Sequence, residues 1–499
     1  MNLMMLLEMA AQGFGPRVAV QNGEDRLTYQ ELFDAAGVAA DEIRASGAKH
    51  VALLDVSSLA VPVALFASAW AGVPFAPLNY RLSGDELDAL LARVEPAFLV
   101  TDGERAGTLA GKASVVRSRE DFLAGARSGA QTEPSWGMDP DEISILLFTS
   151  GTTGAPKAAV LRHQHLVSYI LGSVEFGAAE AEDAALVSVP PYHIAGMASV
   201  LSSLYSGRRI VQLPAFSAEE WLRLARSEAV TNAFVVPTML SRVVDALEES
   251  ASADLPALRA LSYGGGKMPL PVIERAMKLF PDTSFTNAYG LTETSSTVTL
   301  LGPDDHREAA ASDDEKVRQR LVSVGRALPT VEIEIRDDEG RALPAGERGE
   351  IHVRGEQVSG EYLGRGSMLT DDGWFPTRDG GWLDDAGYLF LEGRVDDVIV
   401  KGGENMSPGE IEDVLLEHAD VRDAAVVGVP DEEWGEAVAA AVVLRKGATA
   451  DEDALKEWVK RHLRSSRVPS HIAFRDELPY NETGKLLRRV VRAEFAEGS

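Results

Sequence analysis

Cysteine is absent from all 499 residues of the chain. Its absence excludes disulfides, thiolate metal sites and covalent acyl-cysteine chemistry, and it fits a reducing cytoplasm. Positive charge is also scarce: 77 Asp and Glu residues against 48 Lys and Arg give a net charge of −29. We therefore expect no binding to nucleic acid or anionic lipid, and any site for an anion must be locally basic.

The chain also lacks a clean membrane-spanning segment. Residues 56–80 carry no charge, which is long enough to cross a bilayer, but three prolines and Gly72 interrupt them. A buried helix at 59–71 followed by a buried strand at 73–77 explains this run better. Residues 1–12 lack the basic start of a secretion signal, so we expect a cytoplasmic protein. Peripheral membrane contact stays open.

Strand and helix signals alternate through the first hundred residues. Thr28 and Glu31 form a capping-box pattern that opens a helix ending near Gly47, between short strands at 18–20 and 50–55. The alternation predicts an α/β fold with layered, largely parallel sheets. Similar strand signals recur at 186–189, 210–213 and 233–236.

The C-terminal part has a different pattern. From Val331 the chain is β-rich, which predicts a β subdomain. The acidic, alanine-rich stretch 302–320 shows no clear periodicity beyond one candidate short helix, and we expect it to be a solvated surface excursion. A unit of about a hundred residues, the common size of a domain, follows Arg394. We predict a large N-terminal domain, 1–394, and a small α+β domain, 395–499. The signals in the small domain are helices from 408, at 453–463 and after 485, and strands at 424–429, 437–444 and 471–474.

A loop rich in hydroxyl groups and glycine follows the strand predicted at 143–148. Small residues let backbone amides approach phosphate oxygens, and a lysine adds mobile positive charge. The spacing resembles a Walker loop, but Pro156 cannot donate an amide and Ala158 replaces the hydroxyl residue that binds magnesium. We predict a phosphate loop of another kind, formed by Thr149, Ser150, Gly151, Thr152, Thr153, Gly154 and Lys157.

This loop resembles the phosphate-binding loop of the adenylate-forming superfamily, which contains acyl-CoA synthetases, peptide-synthetase adenylation domains and firefly-type luciferases. The resemblance covers nearly the whole chain through several motifs in order. One departure is Ala158, where the family usually has glycine. The resemblance implies that the protein uses ATP, Mg²⁺ and coenzyme A. It also implies that residues 1–394 bind AMP and the acyl group and that residues 395–499 form a mobile lid.

The segment from Tyr289 to Thr294 resembles the second nucleotide motif of the family. The resemblance implies that Tyr289, followed by Gly290, stacks on adenine, that Thr292 hydrogen-bonds the α-phosphate and that Glu293 holds Mg²⁺. Magnesium is usually held by one or two protein oxygens together with nucleotide phosphates. Thr149 is the candidate for the second protein oxygen.

Two further segments resemble parts of the family's binding site. Gly264, Gly265 and Gly266 resemble the segment that contacts adenine, where glycines let backbone lie flat against a planar base. His193, in a Pro-Pro-Tyr-His segment, resembles the residue placed beside the acyl pocket. It is expected to contact the substrate carboxylate or to gate the tunnel.

Asp379 and Arg394 match the residues that hold the ribose hydroxyls in the family, although Arg378 stands where glycine is usual. Asp396 matches the hinge between the two domains. The loop Lys401-Gly402-Gly403 resembles the segment that enters the site for the second half-reaction. The two glycines would let backbone pass close to pantetheine.

Lys485 completes the resemblance. Adenylation brings two anions together, because a carboxylate attacks the α-phosphate and expels pyrophosphate, so positioning and positive charge supply most of the catalysis. The resemblance assigns this role to Lys485, together with Thr292 and Glu293. Rotation about Asp396 would then replace Lys485 by the Lys401 loop, and the coenzyme A thiol would attack the acyl-adenylate.

The predicted function is that of an acyl-CoA synthetase for fatty or other hydrophobic acids. The expected pocket segments hold no acidic residue to bind an α-amino group, and no carrier domain follows; they are 192–201, 235–240 and 294–300. Two alternatives stay open: a ligase that passes the acyl group to a carrier protein, and a catalytically silent protein that senses acyl-adenylates. The partners are small molecules, and a homodimer stays open.

Overall fold

The computed structural model describes residues 1–129, 133–149, 156–402, 404–431, 434–481 and 486–497, without the side chains of residues 405 and 497. Sixteen α-helices occur within these ranges. They are α1 Met4–Phe14, α2 Tyr29–Ser46, α3 Ala60–Ala71, α4 Gly84–Val94, α5 Gly103–Thr108, α6 Arg119–Ser128, α7 His163–Ser173, α8 Ile194–Ser206, α9 Ala218–Ser227, α10 Pro237–Ala246, α11 Leu270–Leu279, α12 Pro303–Ala311, α13 Glu315–Arg318, α14 Pro408–Leu416, α15 Glu452–His462 and α16 Arg488–Glu497.

The same ranges contain twenty-six strands. They are β1 Val18–Asn22, β2 Asp25–Thr28, β3 His50–Leu54, β4 Phe75–Pro77, β5 Ala97–Thr101, β6 Val115–Ser118, β7 Ile143–Thr149, β8 Lys157–Arg162, β9 Ala184–Val187, β10 Arg209–Gln212, β11 Asn232–Val235, β12 Ala260–Gly264, β13 Ser284–Leu291, β14 Ser296–Leu301, β15 Arg326–Ala327, β16 Val331–Arg336, β17 Gly349–Gly355, β18 Glu361–Tyr362, β19 Gly366–Ser367, β20 Phe375–Leu383, β21 Leu389–Arg394, β22 Ile399–Lys401, β23 Glu404–Met406, β24 Val421–Asp431, β25 Gly435–Leu444 and β26 His471–Arg475.

Two large sheets form the body of the N-terminal part. One has eight strands in the order β19-β18-β8-β7-β4-β3-β5-β6, and the other has nine in the order β15-β14-β13-β12-β11-β9-β10-β1-β2. Their central strands are parallel, as the alternation of strand and helix predicts. A single apolar core, including Val51 of β3, Phe66 of α3 and Ile210 of β10, joins both sheets through the helices between them.

The uncharged run at 56–80 is part of this core. Eleven of the twelve residues of α3 are buried. The strand predicted at 73–77 forms as the shorter β4, Phe75–Pro77. The predicted capping box also forms, since Thr28 accepts from the Glu31 amide and the Glu31 carboxylate accepts from the Thr28 amide. No helix in the described part of the chain is long and apolar enough to cross a membrane.

The β-rich pattern after Val331 becomes a four-stranded antiparallel sheet in the order β16-β17-β20-β21. The small C-terminal part follows it, with β24 and β25 paired along most of their length and β26 parallel to β25. The chain thus forms a mixed α/β fold with a large N-terminal domain and a small C-terminal domain.

The prediction for residues 302–320 is wrong in part. This stretch contains α12 and α13, and His306 is only 1% exposed. His306 Nε2 pairs with the hydroxyl of Tyr263 at 2.9 Å, and its Nδ1 pairs with the carbonyl of Gly302 at 2.8 Å. The His306 ring also lies 6.3 Å from that of Phe285 in β13. One face of α12 therefore packs on β12 and β13, so the segment is not a purely solvated excursion.

Candidate active site

The ends of the phosphate loop are held by a β-ladder. Thr149, the last residue of β7, is the cross-strand partner of Lys157, the first residue of β8. The Thr149 hydroxyl donates to the Lys157 carbonyl at 3.4 Å. Ser150, Gly151, Thr152, Thr153 and Gly154 lie outside the described residues. The ladder nevertheless fixes the two positions from which the loop starts and ends.

The nucleotide motif lies where β13 of the other sheet ends. The β13–β14 ladder shifts register between Tyr289 and Gly290, and a 3₁₀ turn at Thr292–Thr294 follows. The hydroxyl of Thr294 accepts from the Leu291 amide at 2.9 Å, which holds this turn closed. Thr292 and Glu293 are therefore presented on a short rigid turn instead of a free loop.

Glu293 is 8% exposed and is held at its backbone and at its side chain. Its carbonyl accepts from the amides of Ser359 at 2.9 Å and Gly360 at 3.0 Å. Its carboxylate accepts a hydrogen bond from the hydroxyl of Tyr362. The Lys157 ammonium lies 5.4 Å from the centre of the same tyrosine ring. Tyr362 thus joins the phosphate-loop lysine to the predicted magnesium ligand.

Tyr289, Asp379 and Arg394 form a second hydrogen-bonded group. The Tyr289 hydroxyl donates to Asp379 Oδ2 at 2.8 Å, and Arg394 Nη1 donates to Asp379 Oδ1 at 2.9 Å. Asp379 and Arg394 are cross-strand partners in β20 and β21, which explains their contact. Burial and then the Asp379 charge raise the pKa of Tyr289 well above its usual value, so the phenol stays a donor.

The predicted adenine segment lies beside the nucleotide motif. Gly264, the last residue of β12, is paired with Ala288 in the neighbouring strand. A Cβ at this position would collide with the carbonyl oxygen of Ala288, so glycine is required for the close approach of the two strands. Gly265 and Gly266 follow directly, so the three glycines lie at the carboxyl end of β12, next to the part of β13 that leads to Tyr289.

His193 begins α8 as its N-cap residue. Burial, and secondarily the Arg81 charge, lowers its pKa to about 3, so the ring is neutral at physiological pH. Its Nε2 atom is buried and has no hydrogen-bond partner among the described residues. The ring lies 4.4 Å from that of Tyr192. A neutral imidazole with one unpaired nitrogen can accept or donate one hydrogen bond to a substrate group.

Arg378 joins the ribose-site strand to the predicted hinge. Its guanidinium donates to Asp396 Oδ1 at 2.7 Å, and its amide donates to Glu350 Oε1 at 2.9 Å. Its φ of 62° lies in the left-handed region, where glycine is favoured. The glycine-like backbone shape that the family pattern requires is therefore kept by arginine at this position.

Lys401 and Gly402 lie in the small domain, and the structure gives them partners there. Lys401 Nζ donates to the Ser466 carbonyl at 3.5 Å. The Gly402 amide donates to the Trp434 carbonyl at 2.8 Å, and its φ is 59°. A Cβ on Gly402 would lie 2.8 Å from the Trp434 ring. Gly403 and Lys485 lie outside the described residues.

Sequence reasoning missed Tyr362. Its strand, β18, is only two residues long, and a lone tyrosine after a glutamate carries no motif. The sequence offers one signal for Tyr362, namely that it follows the glycines of a β-rich segment. This signal is too weak to indicate a role. Its contacts become visible only when β18 pairs with β8, opposite Ala159.

Comparison with known proteins identifies the family. Residues 7–363 match the AMP-binding enzyme family, and residues 410–485 match the AMP-binding enzyme C-terminal domain. The chain belongs to the AMP-binding enzyme family.

Two relatives and one solved structure illustrate the range of this family. A feruloyl-CoA synthase of Amycolatopsis sp is 34% identical over 96% of this chain and 96% of its own length. A fatty acid–[acyl-carrier-protein] ligase of Streptomyces coeruleorubidus is 32% identical over 94% of this chain and 92% of its own. The o-succinylbenzoate CoA synthetase of Bacillus subtilis, solved with its acyl-adenylate intermediate, has a TM-score of 0.85 at 28% identity, covering 98% of this chain and 97% of its own.

As a member of the AMP-binding enzyme family, the protein is an acid–thiol ligase that uses ATP, Mg²⁺ and coenzyme A. The described residues contain no cluster of three or more acidic or histidine side chains that could hold a metal. The site fits a magnesium ion that depends largely on nucleotide phosphates, because the buried Glu293 has one carboxylate oxygen that Tyr362 does not engage. When bound, the metal supplies positive charge at the phosphates.

Proposed function

We propose that this ligase activates a hydrophobic carboxylic acid, either aromatic or fatty, to its acyl-adenylate and transfers the acyl group to coenzyme A. One observation supports this most directly. The nucleotide motif of β13 carries two hydrogen-bonded groups: Tyr289 contacts Asp379, and Glu293, four residues later, contacts Tyr362. These contacts support the proposal that one short segment contributes to both a ribose site and a phosphate site.

The ribose role is assigned to Asp379. Each of its carboxylate oxygens accepts one hydrogen bond from the protein, at 2.8 Å from Tyr289 and 2.9 Å from Arg394. A carboxylate oxygen can accept more than one hydrogen bond, so both oxygens retain capacity for the two ribose hydroxyls. Arg394 orients the Asp379 carboxylate through its hydrogen bond, and Tyr289 is assigned to adenine.

The phosphate roles are assigned to Lys157, Thr292 and Lys485. The Lys157 ammonium lies over the ring of Tyr362, whose hydroxyl donates to the Glu293 carboxylate, and Thr292 begins the turn that carries Glu293. Lys485 would bridge the attacking carboxylate and the α-phosphate, so that the negative charge on both is offset as pyrophosphate leaves.

The second half-reaction is assigned to the Lys401-Gly402-Gly403 loop, with the domain boundary at 394/395 and the hinge at Asp396. Asp396 lies in a 3₁₀ turn, Val395–Asp397, directly after the last strand of the large domain. The chain therefore passes from a strand of the large domain through a single short turn into β22 of the small domain, which carries Lys401.

The hydrophobic class of acid is supported by the segments expected to form the pocket. They contain no charged residue between 192 and 201, 235 and 240, or 294 and 300. The neutral, partly unsatisfied His193 beside Tyr192 adds one polar contact to an otherwise apolar lining. The names of the relatives include an aromatic acid, ferulate, as well as fatty acids. We therefore extend the expectation of a fatty acid to aromatic acids.

A carrier-protein thiol is the second candidate acceptor. It is favoured by the likeness to the fatty acid–[acyl-carrier-protein] ligase, which is nearly as similar to this chain as the feruloyl-CoA synthase. Both acceptors would use the same first half-reaction, so only the identity of the thiol separates them.

Mass spectrometry of the products from ATP, Mg²⁺ and a panel of aromatic, fatty and polar acids, with and without coenzyme A, tests the proposal. An acyl-CoA product that requires coenzyme A is expected, and its yield ranks the acids. An acyl-adenylate that persists in the presence of coenzyme A would favour the carrier-protein acceptor. No adenylate from any hydrophobic acid, but adenylate from polar acids, would contradict the proposed substrate class.

A further inference from the structure

The hydroxyl of Tyr362 fixes one oxygen of the Glu293 carboxylate. It donates to Oε1, and the Glu293 carbonyl is held at the same time by the Ser359 and Gly360 amides at 2.9 and 3.0 Å. Segment 359–362 therefore contacts both ends of one glutamate. The arrangement leaves Oε2 as the carboxylate oxygen that Tyr362 does not engage, in an orientation determined by the tyrosine.

The ring of Tyr362 faces the phosphate-loop lysine. Lys157 Nζ lies 5.4 Å from the ring centroid, which is within the range of a cation–π contact. The backbone keeps this spacing, because Tyr362 pairs with Ala159, and the Leu363 amide donates to the Ala158 carbonyl at 2.9 Å. The backbone of Tyr362 and Leu363 is thus paired with the two residues that directly follow Lys157.

The hydroxyl of Tyr362 donates to a carboxylate. A neutral phenol beside a carboxylate forms a charge-assisted hydrogen bond, which is stronger than a bond between neutral groups. Magnesium requires near-ideal octahedral geometry, so the direction of a carboxylate oxygen affects its binding more than the binding of a larger cation.

We propose that Tyr362 is a positioning residue that aligns Glu293 for magnesium through its hydroxyl and Lys157 for phosphate through its ring. The inference rests on the proposed nucleotide site. It predicts that the two contacts can be separated by substitution, because phenylalanine keeps the ring and removes the hydroxyl, whereas leucine removes both.

The test is equilibrium binding of a fluorescent ATP analogue to the full-length protein, titrated with Mg²⁺ and repeated in EDTA. Partners that orient a metal ligand typically change metal affinity by about 10–100-fold. We expect Tyr362→Phe to raise the Mg²⁺ concentration for half-maximal enhancement of binding by about 10-fold, within that range. Binding in EDTA should be unchanged in Tyr362→Phe and weakened in Tyr362→Leu.

Tyr388→Phe is the matched control. The Tyr388 hydroxyl also donates to a carboxylate, Asp305 Oδ1, at 2.6 Å, and Arg320 lies 4.4 Å from its ring. The Tyr388→Phe variant therefore loses a tyrosine–carboxylate hydrogen bond of the same type, at a place outside the proposed nucleotide site. Melting curves of all variants show whether each protein is folded.

Two results would overturn the proposal. One is an unchanged Mg²⁺ dependence in folded Tyr362→Phe, and the other is an equal change in Tyr388→Phe. Glu293→Gln distinguishes the failure of this inference from the failure of the site itself. If Glu293→Gln changes the Mg²⁺ dependence and Tyr362→Phe does not, only the role of Tyr362 is wrong. If neither variant changes it, the assignment of Glu293 is also wrong.

Discussion

Asp379 is the residue on which most of the proposed nucleotide contacts depend. It is paired with Arg394, whose side chain is 26% exposed, while its own is 15% exposed. Removing one partner of a largely buried ion pair leaves the other charge uncompensated, which costs more than the pair contributes. The ribose site should therefore be more sensitive to the loss of the carboxylate than to the loss of a neutral neighbour.

We expect Asp379→Asn to weaken ATP binding by at least about 10-fold, because it removes a charged acceptor from Arg394 and from the ribose. Tyr289→Phe removes only one neutral donor and keeps the ring, so its effect should be about 2- to 10-fold. Isothermal titration with ATP measures both. A larger effect of Tyr289→Phe than of Asp379→Asn would contradict the assignment.

Three buried histidines predict a loss of stability in acid. Burial lowers the pKa of His163 and of His165 to about 4, and that of His193 to about 3, below the usual unfolded value of about 6.5. Below pH 6.5 the unfolded chain binds protons that the folded chain does not, so stability falls with pH. Each histidine should lower the free energy of unfolding at pH 5 by up to about 2 kcal/mol.

Thermal melting of the protein and of His163→Gln at pH 7.5 and pH 5 checks this prediction. The variant should lose less stability between the two pH values, although it is less stable at pH 7.5, because His163 Nδ1 accepts from the Leu3 amide at 3.1 Å. The exposed residue His462 supplies the control. An identical pH dependence of His163→Gln and His462→Gln would contradict a role for burial.

At the scale of elements, the β20–β21 hairpin carries the proposed ribose site and leads into the proposed hinge. Arg378 has a left-handed backbone conformation and is ion-paired to Asp396. Left-handed backbone at a residue other than glycine costs about 1 kcal/mol, and a half-exposed ion pair stabilises by at most about 1 kcal/mol. The two effects nearly cancel in the folded protein, but only the ion pair has to break if the hinge turns.

We therefore expect Arg378→Gly to leave stability and adenylation nearly unchanged. Thioester formation from supplied acyl-adenylate should become up to about 5-fold faster, the equivalent of about 1 kcal/mol. Rapid-quench measurement of the two half-reactions separates the steps. Asp254→Gly relieves another left-handed residue, φ 50°, away from the hinge, and should change neither step. A slower thioester step in Arg378→Gly would contradict the role of the ion pair.

Elements with strong local signals were predictable from the sequence, and elements formed by pairing were not. The capping box of α2 and the buried run of α3 follow from residues that are neighbours in sequence, and both predictions are confirmed. The burial of helix α12 was missed because its buried face consists of His306 and Ala309, which give no apolar periodicity. Tyr362 was missed because its partners, Glu293 and Lys157, are distant in sequence.

At the scale of the whole molecule, polar contacts join the two domains in the described part of the chain. Lys267 pairs with Asp413 at 2.5 Å, and the Ser407 hydroxyl donates to the Glu392 carbonyl at 2.6 Å. The Lys267 and Asp413 side chains are 36% and 48% exposed, so this pair contributes at most about 1 kcal/mol. The polar contacts between the domains that a rotation of the small domain would break are therefore weak.

Two substitutions in the small domain should separate the half-reactions. Lys485→Ala is expected to reduce adenylation by orders of magnitude while ATP binding is largely kept, because it removes the charge that bridges the two anions. Gly402→Ala should impair thioester formation and spare adenylation, because a Cβ would lie 2.8 Å from the Trp434 ring at a φ of 59°.

Single-turnover assays with ATP and acid, and separately with acyl-adenylate and coenzyme A, measure each step. The two variants serve as controls for each other, since both change the small domain. If both lose the same half-reaction, the exchange of Lys485 for the Lys401 loop is wrong.

The β20–β21 ladder shifts register between Gly380 and Gly381, which leaves Glu392 as an extra residue between Gly393 and Leu391. Its carbonyl is the one that accepts from Ser407 in the small domain. The extra residue therefore supplies a contact between the hairpin and the domain that follows it. Deleting Glu392 would remove the register shift and the hydrogen bond from Ser407, while the pairing of Asp379 with Arg394 could persist. Insertions and deletions in related hairpins should accordingly be tolerated at the turn, on the Asp384–Gly387 side, and selected against at the bulge.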